Sequence, residues 1–144
     1  MKKLVVYYSK SGNTKKIAEV IAKELKCKVI SIDKVKASDL DVDLIGFGAG
    51  IYAFKPHKKL MKFVKNLDCK CKKCFIFSTS GAGKGQMGAL NKLLEKKGFK
   101  VIDKFACKGE DTFFVTRLFG VSNKGKPDKE EFKQAKEFCK KIKN

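Results

Sequence analysis

Three hydroxyl side chains, an amide side chain and a glycine fall within six consecutive residues near the start of the chain. In order, the segment reads Ser9, Lys10, Ser11, Gly12, Asn13 and Thr14. Hydroxyl and amide groups donate hydrogen bonds, and glycine and asparagine accept tight turns that bring backbone amides together. A helix starting here would add its unpaired N–H groups and the positive end of its dipole. The segment therefore predicts a phosphate-binding site without a Walker lysine, with an ordinary helix cap as the alternative.

Two later segments combine glycine with small polar or aromatic residues. They contain Gly50, Ile51, Tyr52 and Ala53, and then Ser78, Thr79, Ser80, Gly81 and Gly83. Glycine lets a backbone approach a ligand closely, and Tyr52 offers a flat face for a ring; packing of Tyr52 and Phe54 within their own loop is the alternative. The second segment has backbone groups that suit the edge of a planar ring. It is not a nucleotide-binding P-loop, because the Gly-x4-Gly-Lys spacing and a following Ser or Thr are missing.

The apolar pattern predicts the elements that position these three segments. Short apolar runs, predicted to be strands, cover residues 4–8, 29–32, 44–48, 75–77 and 99–106. Between them apolar residues recur at helical spacing, with Pro56 in the first turn of one helix and Gly98 at the end of another. This alternation predicts the α/β class, with a doubly wound five-stranded parallel sheet and helices on both faces. Its ligand lies beyond the carboxyl ends of the strands, where the three segments fall.

Composition and charge limit the class of protein further. A chain of 144 residues with 43% hydrophobic residues predicts one globular domain, residues 1–144. It carries 34 basic and 15 acidic residues, for a net charge of +19, and Arg117 is its one arginine. Bidentate reading of guanine or phosphate by arginine is therefore disfavoured, whereas non-specific binding of nucleic acid by lysine stays open. No signal-peptide pattern and no membrane-span length of apolar residues is visible, which predicts a cytoplasmic protein with reduced thiols and no membrane insertion.

On these residues, the chain resembles the flavodoxin family over essentially its whole length. Segment 9–14 matches that family's FMN-phosphate loop, and segments 50–53 and 78–81 occupy the places of its two isoalloxazine loops. The stretch 123–127, before the last helix, is similar to one branch of the family. The resemblance implies the strand order 2-1-3-4-5, FMN as the cofactor, and cofactor-binding roles for the residues named above in the three segments.

Such a site, without a nicotinamide motif, favours an electron carrier that shuttles electrons between redox partner proteins and needs no catalytic side chain. An FMN-dependent oxidoreductase of the quinone-reductase or protoporphyrinogen-oxidase type is the alternative enzyme, and a basic nucleic-acid-associated protein is the less favoured third hypothesis. Residues 9–16, 50–59 and 78–86 carry seven lysines and no Asp or Glu. Partner proteins are therefore expected to present acidic docking patches, and the positive surroundings are expected to favour the reduced flavin.

Several residues outside the three segments have reactive or metal-binding side chains, but we predict that they are structural. Cys69, Cys71 and Cys74 lack a nearby fourth ligand for a tetrahedral metal, so a lysine-rich turn without metal is predicted. His57 is expected at the surface of a helix start, with protonation of flavin as the alternative. Residues 108–126 form a long connection for which packing over the sheet and contact with a partner are both open. A low-molecular-weight phosphatase is excluded, since no cysteine precedes Arg117 at the required spacing.

Overall fold

The computed structural model describes residues 1–9, 12–52, 55–56, 58–80, 87–108 and 129–143. The strands are β1 (Lys3–Tyr8), β2 (Lys28–Ser31), β3 (Leu44–Tyr52), β4 (Lys55–Pro56), β5 (Lys73–Ser80) and β6 (Lys100–Lys108). The helices are α1 (Asn13–Leu25), α2 (Lys58–Lys65), α3 (Gly88–Lys96) and α4 (Lys129–Lys143). Two short 3-10 turns, Ile32–Lys34 and Ala37–Leu40, follow β2.

Five strands form a parallel sheet in the order β2-β1-β3-β5-β6. The two-residue strand β4 pairs antiparallel with the end of β3. Numbered as parallel strands alone, the order is 2-1-3-4-5, so the predicted doubly wound sheet is confirmed. The chain passes from β1 to β2 on one side and then returns to β3 on the other, which makes the carboxyl end of β1 the switch point where ligands bind in such sheets.

Helices cover both faces of the sheet, and each face has its own apolar core. Helices α1 and α4 pack on one face, here called the α1/α4 face, and α2 and α3 pack on the other, the α2/α3 face. Buried on the α1/α4 face are Val5, Ile17, Ile21, Phe75, Phe77 and Phe138. Buried on the α2/α3 face are Leu4, Val6, Ile45, Phe47, Leu60 and Leu90. Successive residues of one strand point to opposite cores, as the pleat of a strand requires.

Two glycines of β3 make room for two phenylalanine rings on the α1/α4 face. Gly46 is the register partner of Phe75, and Gly48 is the register partner of Phe77. A Cβ atom added at either glycine would lie 2.2 Å from the Cζ atom of its partner ring. The rings therefore lie across the bare backbone of β3, where Phe75 also meets Phe138 with ring centroids 5.7 Å apart. Glycine is required at both positions because any side chain would occupy the space of the rings.

The outer strand β6 carries one extra residue. Cys74 pairs with Val101, but the next residue, Phe75, pairs with Asp103, which leaves Ile102 without a partner on β5. A bulge of this kind bends the strand and interrupts the ladder locally. Beside it, the amide of Lys104 donates to the carboxylate of Asp103 at 2.8 Å.

Helices α1 and α3 end in the same backbone motif with different residues. After α3, Gly98 takes a φ of +93°, and the amide of Phe99 donates to the carbonyl of Leu94 at 2.9 Å. This is the Schellman arrangement, and it confirms Gly98 as the predicted end of the helix. After α1, Lys26 takes the left-handed conformation with a φ of +55°, and the amide of Cys27 closes the equivalent bond at 3.0 Å. A lysine in this conformation carries a steric cost that glycine avoids.

The structure corrects the sequence-based bounds in two places. Residues 50–52 and 78–80, predicted to be loops, continue β3 and β5, because Gly50 still pairs with Thr79 in the ladder. Strands were predicted from apolar runs. The ends of β3 and β5 contain mainly small or polar residues, so the prediction stopped too early. Pro56 is not in the first turn of a helix: it lies in β4, and α2 begins at Lys58. The fixed φ of proline suits the edge of a sheet as well as a helix start.

Candidate functional site

The described parts of the three predicted segments meet at the carboxyl end of the sheet. Strands β1, β3 and β5 are neighbours, and residues near their carboxyl ends are paired in the ladder. Tyr8 pairs with Ala49, and Gly50 pairs with Thr79. The structure therefore brings the three segments to one edge of the sheet, at the switch point.

The turn between β1 and α1 is held by one of its own side chains. Ser9 Oγ accepts a hydrogen bond from the amide of Gly12 at 2.9 Å. Gly12 takes a φ of +91° with nothing within 4 Å of an added Cβ, so its backbone conformation, and not a lack of space, requires glycine. The ladder of α1 starts where the amide of Lys16 donates to the carbonyl of Gly12 at 3.1 Å. The amides before Lys16 form the amino end of the helix, where the dipole favours an anion.

A buried hydroxyl pair ties this helix to β5. Thr14 Oγ1 lies 2.9 Å from Thr79 Oγ1, and either atom can be the donor. Thr14 is 1% exposed and Thr79 is 4% exposed. If Thr79 donates, the proton of Thr14 remains available to a ligand at the helix amino end. Sequence reasoning assigned Thr14 to the phosphate and Thr79 to the ring, but it gave no signal for a contact between residues 65 positions apart.

Ser78, the neighbour of Thr79 on β5, is a buried hydroxyl of a different kind. It points to the α2/α3 face, since strand residues alternate, and it is completely buried. Its Oγ has no hydrogen-bond partner among the described residues. A buried polar group left without a partner costs about 1–3 kcal/mol. Near the carboxyl edge of the sheet, this hydroxyl therefore marks a place where a hydrogen-bond partner is missing among the described residues.

The surroundings of this edge are positively charged. Lys15 and Lys16 are exposed on the first turn of α1, and Lys58 and Lys59 are exposed on the first turn of α2. Lys59 Nζ lies 5.3 Å from the centre of the Tyr8 ring, within the range of a cation–π interaction. Sequence reasoning counted these lysines but missed the contact with Tyr8, which depends on how α2 packs against the end of β1.

Several predicted residues fall outside the described residues. These are Lys10, Ser11, Ala53, Gly81 and Gly83, together with His57 and most of the 108–126 connection. Ile51, Tyr52 and Ser80 are placed by their backbones at the ends of β3 and β5. Binding of FMN by each residue of the three segments therefore remains a prediction.

The cysteines lie away from this edge or are buried beside it as thiols. Cys69 Sγ donates to the carbonyl of Cys71 at 3.5 Å, and Cys71 Sγ donates to the carbonyl of Lys73 at 3.4 Å. Burial, reinforced by Cys71, raises the pKa of Cys74 to about 12. Burial, reinforced by the carboxylate of Glu131, raises the pKa of Cys107 to about 12. Both of these thiols stay protonated at neutral pH and are poor nucleophiles.

Within the described ranges, no group of three or more His, Cys, Asp or Glu side chains is arranged to hold a metal ion. None of the helices described there has the length and apolar character needed to cross a membrane.

Fold and site geometry together define the class: a doubly wound α/β protein with a glycine turn and the amino end of a helix at the switch point of its sheet. A family described as a flavodoxin domain matches residues 4–111. An uncharacterized protein of Methanocaldococcus jannaschii is 44% identical over 147 residues, covering 99% of this chain and 98% of that protein.

Solved structures agree with this match at the level of the fold. A flavodoxin from the domain Archaea superimposes with a TM-score of 0.65 at 20% identity, over 100% of both chains. Flavodoxin 1 from Bacillus cereus gives a TM-score of 0.70 at 22% identity, over 100% of this chain and 99% of that one. The chain belongs to the flavodoxin domain family, and its cofactor is FMN.

The residues present fit this cofactor. The phosphate of FMN is an anion, and the amino end of α1 opens on the turn from Ser9 to Gly12, in a segment that holds lysines and no carboxylate. The unpartnered hydroxyl of Ser78 lies two strands away at the same edge. Its missing hydrogen-bond partner is consistent with a ligand beside the end of β5.

Proposed function

We propose that this protein is an electron carrier that binds one FMN and exchanges electrons with redox partner proteins, acting as a single domain in the cytoplasm. The observation that supports it most directly is the turn at the amino end of α1, where Ser9 fixes Gly12 in a left-handed conformation at the switch point.

In this proposal the three segments divide the work of binding. Residues 9–14 hold the phosphate through backbone amides, the hydroxyls of Ser9 and Thr14, and the helix dipole. Residues 50–53 and 78–83 border the ring and exclude water from it. Thr79 fixes Thr14 through their shared hydrogen bond, so that the phosphate segment and a ring segment are held in one arrangement.

FMN supplies reversible transfer of one or two electrons, and the chain supplies binding, orientation and electrostatics. No side chain of the three segments is assigned a catalytic role. The exposed lysines on the first turns of α1 and α2 favour partner proteins with acidic patches. Electron transfer to such partners is expected to slow as ionic strength rises, because screening weakens long-range attraction between exposed charges.

The proposal is tested by the visible spectrum of the purified protein and by the flavin released when it is denatured. We expect flavin absorption and one FMN per chain. A matched pair of variants sharpens the test, because neither Gly12 nor Gly88 has an atom within 4 Å of an added Cβ, while only Gly12 of the two has a positive φ. Gly12→Ala is expected to weaken FMN binding and Gly88→Ala to leave it unchanged.

Two outcomes would contradict the proposal. A colourless protein that takes up no added FMN would remove the cofactor and with it the electron carrier. Consumption of NAD(P)H with a small acceptor, in the absence of any added reductase, would instead favour an FMN-dependent oxidoreductase with its own substrate. Reduction of partner proteins at a rate unaffected by salt would reject the acidic docking patches alone.

A further inference from the structure

The amino ends of the strands, opposite the FMN site, form a second basic surface. Four of the five parallel strands begin with a lysine: Lys28 on β2, Lys3 on β1, Lys73 on β5 and Lys100 on β6. In the order of the sheet these lysines run from one edge to the other. With strands about 4.8 Å apart, the row is roughly 19 Å long. We call these four residues the amino-end row.

Lysines of the row stand beside one another with little compensation. Lys73 and Lys100 are register partners on adjacent strands, and like charges placed directly opposite are destabilising. Among the described residues, no carboxylate lies within ion-pair distance of Lys3, Lys73 or Lys100; Lys28 has Asp39 at 3.8 Å. Folding alone gives no reason to line these side chains up.

Nearby carboxylates are engaged by the backbone. Asp43 Oδ2 accepts the amide of Lys2 at 2.8 Å, and Asp39 Oδ2 accepts the amide of Lys36 at 2.8 Å. One lysine at this end of the sheet caps a helix: Lys97 Nζ donates a hydrogen bond to the carbonyl of Lys65, at the end of α2, at 3.1 Å. Cationic side chains at helix ends of this kind offset the dipole. The amino-end row makes no such contact with a helix carbonyl among the described residues.

The surface is also concave at both halves of the row, since members of the row line two cavities. A cavity of about 680 Å³ is lined by lysines that include two members of the row, with Asp39 and Asp41 as its acidic residues. Its lysines are Lys2, Lys3, Lys23, Lys26 and Lys28. A second cavity of about 310 Å³ is lined by Lys73, Lys141 and Asp103, and it shares Met1 with the first.

We propose that the amino-end row binds the phosphodiester backbone of nucleic acid without reading its sequence. The row has a gap at the central strand β3, which begins with Leu44, so it places positive charge on both sides of the middle of the sheet. Positive charge spread over about 19 Å matches a partner that carries phosphates along its length, and this distance spans roughly six base pairs of duplex. Lysine suits this task because it neutralises phosphate as a point charge, whereas sequence reading relies on bidentate arginine. The row lies at the opposite end of the strands from the FMN site, so both sites can be occupied at once.

The test compares two triple variants of equal net charge. Lys3→Gln, Lys73→Gln and Lys100→Gln together remove three members of the row. Lys92→Gln, Lys133→Gln and Lys136→Gln together remove three exposed lysines of α3 and α4. Binding of the FMN-loaded proteins to a labelled duplex of about 20 base pairs is followed by fluorescence anisotropy over a range of salt concentrations.

We expect the row variant to bind roughly 500-fold more weakly at about 0.1 M salt, because the loss of three phosphate contacts reduces the salt-dependence slope by about 2.7. The α3/α4 variant should bind like the wild type. Both variants should retain FMN, and the row variant should be at least as stable as the wild type, because Lys73 and Lys100 no longer repel each other. Equal weakening of both variants, or no duplex binding by the wild type, would overturn the proposal. Tighter, row-dependent binding of polyglutamate would replace it with an acidic protein partner.

Discussion

The two faces of β5 end differently at the carboxyl edge of the sheet, where we propose that FMN binds. On the α1/α4 face, Phe75 and Phe77 fill the space over bare glycine backbone, and the strand closes with Thr79 bonded to Thr14. On the α2/α3 face, the last residue of β5 whose side chain is described is Ser78, and its hydroxyl has no partner among the described residues. Among the described residues, the first face has its polar side chain paired and is tied by that pair to the amino end of α1. The other presents a buried group that a ligand can satisfy.

The completeness of the α1/α4 face gives the largest expected effect. Gly48→Ala places a Cβ 2.2 Å from the Phe77 ring, so ring and backbone must shift, at a cost of about 1–3 kcal/mol in free energy of unfolding. Urea denaturation measures it. Gly88→Ala, with open space around the added Cβ, is the control and should cost nothing. Equal stability of the two variants would show that the packing of rings on glycine does not matter.

The bond between the threonines gives the next effect. Thr79→Val leaves the buried hydroxyl of Thr14 without its partner, which should lower the free energy of unfolding by about 1–2 kcal/mol and weaken FMN binding through misplacement of Thr14. Thr79→Ser retains the hydroxyl and should recover most of both losses. Titration of the apoprotein with FMN and thermal unfolding report the two quantities separately. A Thr79→Val variant with normal FMN affinity would limit Thr79 to a structural role.

Ser78 gives a smaller effect whose sign depends on the cofactor. Without FMN, Ser78→Ala removes an unpartnered buried hydroxyl and should leave stability unchanged or slightly higher. With FMN, the lost hydrogen bond should cost about 1 kcal/mol of binding free energy, roughly a fivefold rise in Kd. Thermal unfolding with and without FMN measures both. Identical FMN affinity in the variant would show that the α2/α3 face supplies nothing to the cofactor.

The smallest expected change in the free energy of unfolding comes from the carboxyl ends of α1 and α3, one helix on each face. Helix α1 ends with Lys26 in a left-handed conformation, and α3 ends with Gly98 in the same role. Lys26→Gly should raise the free energy of unfolding by about 0.5 kcal/mol, since the steric cost is removed and part of the gain is offset by the greater freedom of glycine when unfolded. Gly98→Ala should lower it by about 1 kcal/mol. Urea denaturation of both variants measures these changes in the free energy of unfolding. If Lys26→Gly is less stable than the wild type, the side chain of Lys26 stabilises the fold by more than its left-handed backbone destabilises it.

Periodicity was sufficient to predict the sheet, its five parallel strands and the position of the three segments at its carboxyl edge. That information is local, since apolar runs and helical spacing are visible within a dozen residues. The extension of β3 and β5 into Gly50 and Ser78 was missed because ladder bonds belong to the backbone and need no apolar side chain. The hydrogen bond between Thr14 and Thr79 was missed because it depends on how α1 packs against the sheet. The distance between two residues 65 positions apart cannot be predicted from either segment alone.

The extra residue in β6 has a consequence for how the protein meets other molecules. β6 is an outer strand, and an outer strand with a regular ladder invites a strand from another chain to pair with it. Here Ile102 interrupts the register, and the carboxylate of Asp103 takes the amide of Lys104. At the other edge, β2 has only four residues and begins with Lys28. Neither outer strand offers a long regular template, so edge-to-edge aggregation is disfavoured even where the chain is crowded against its own copies.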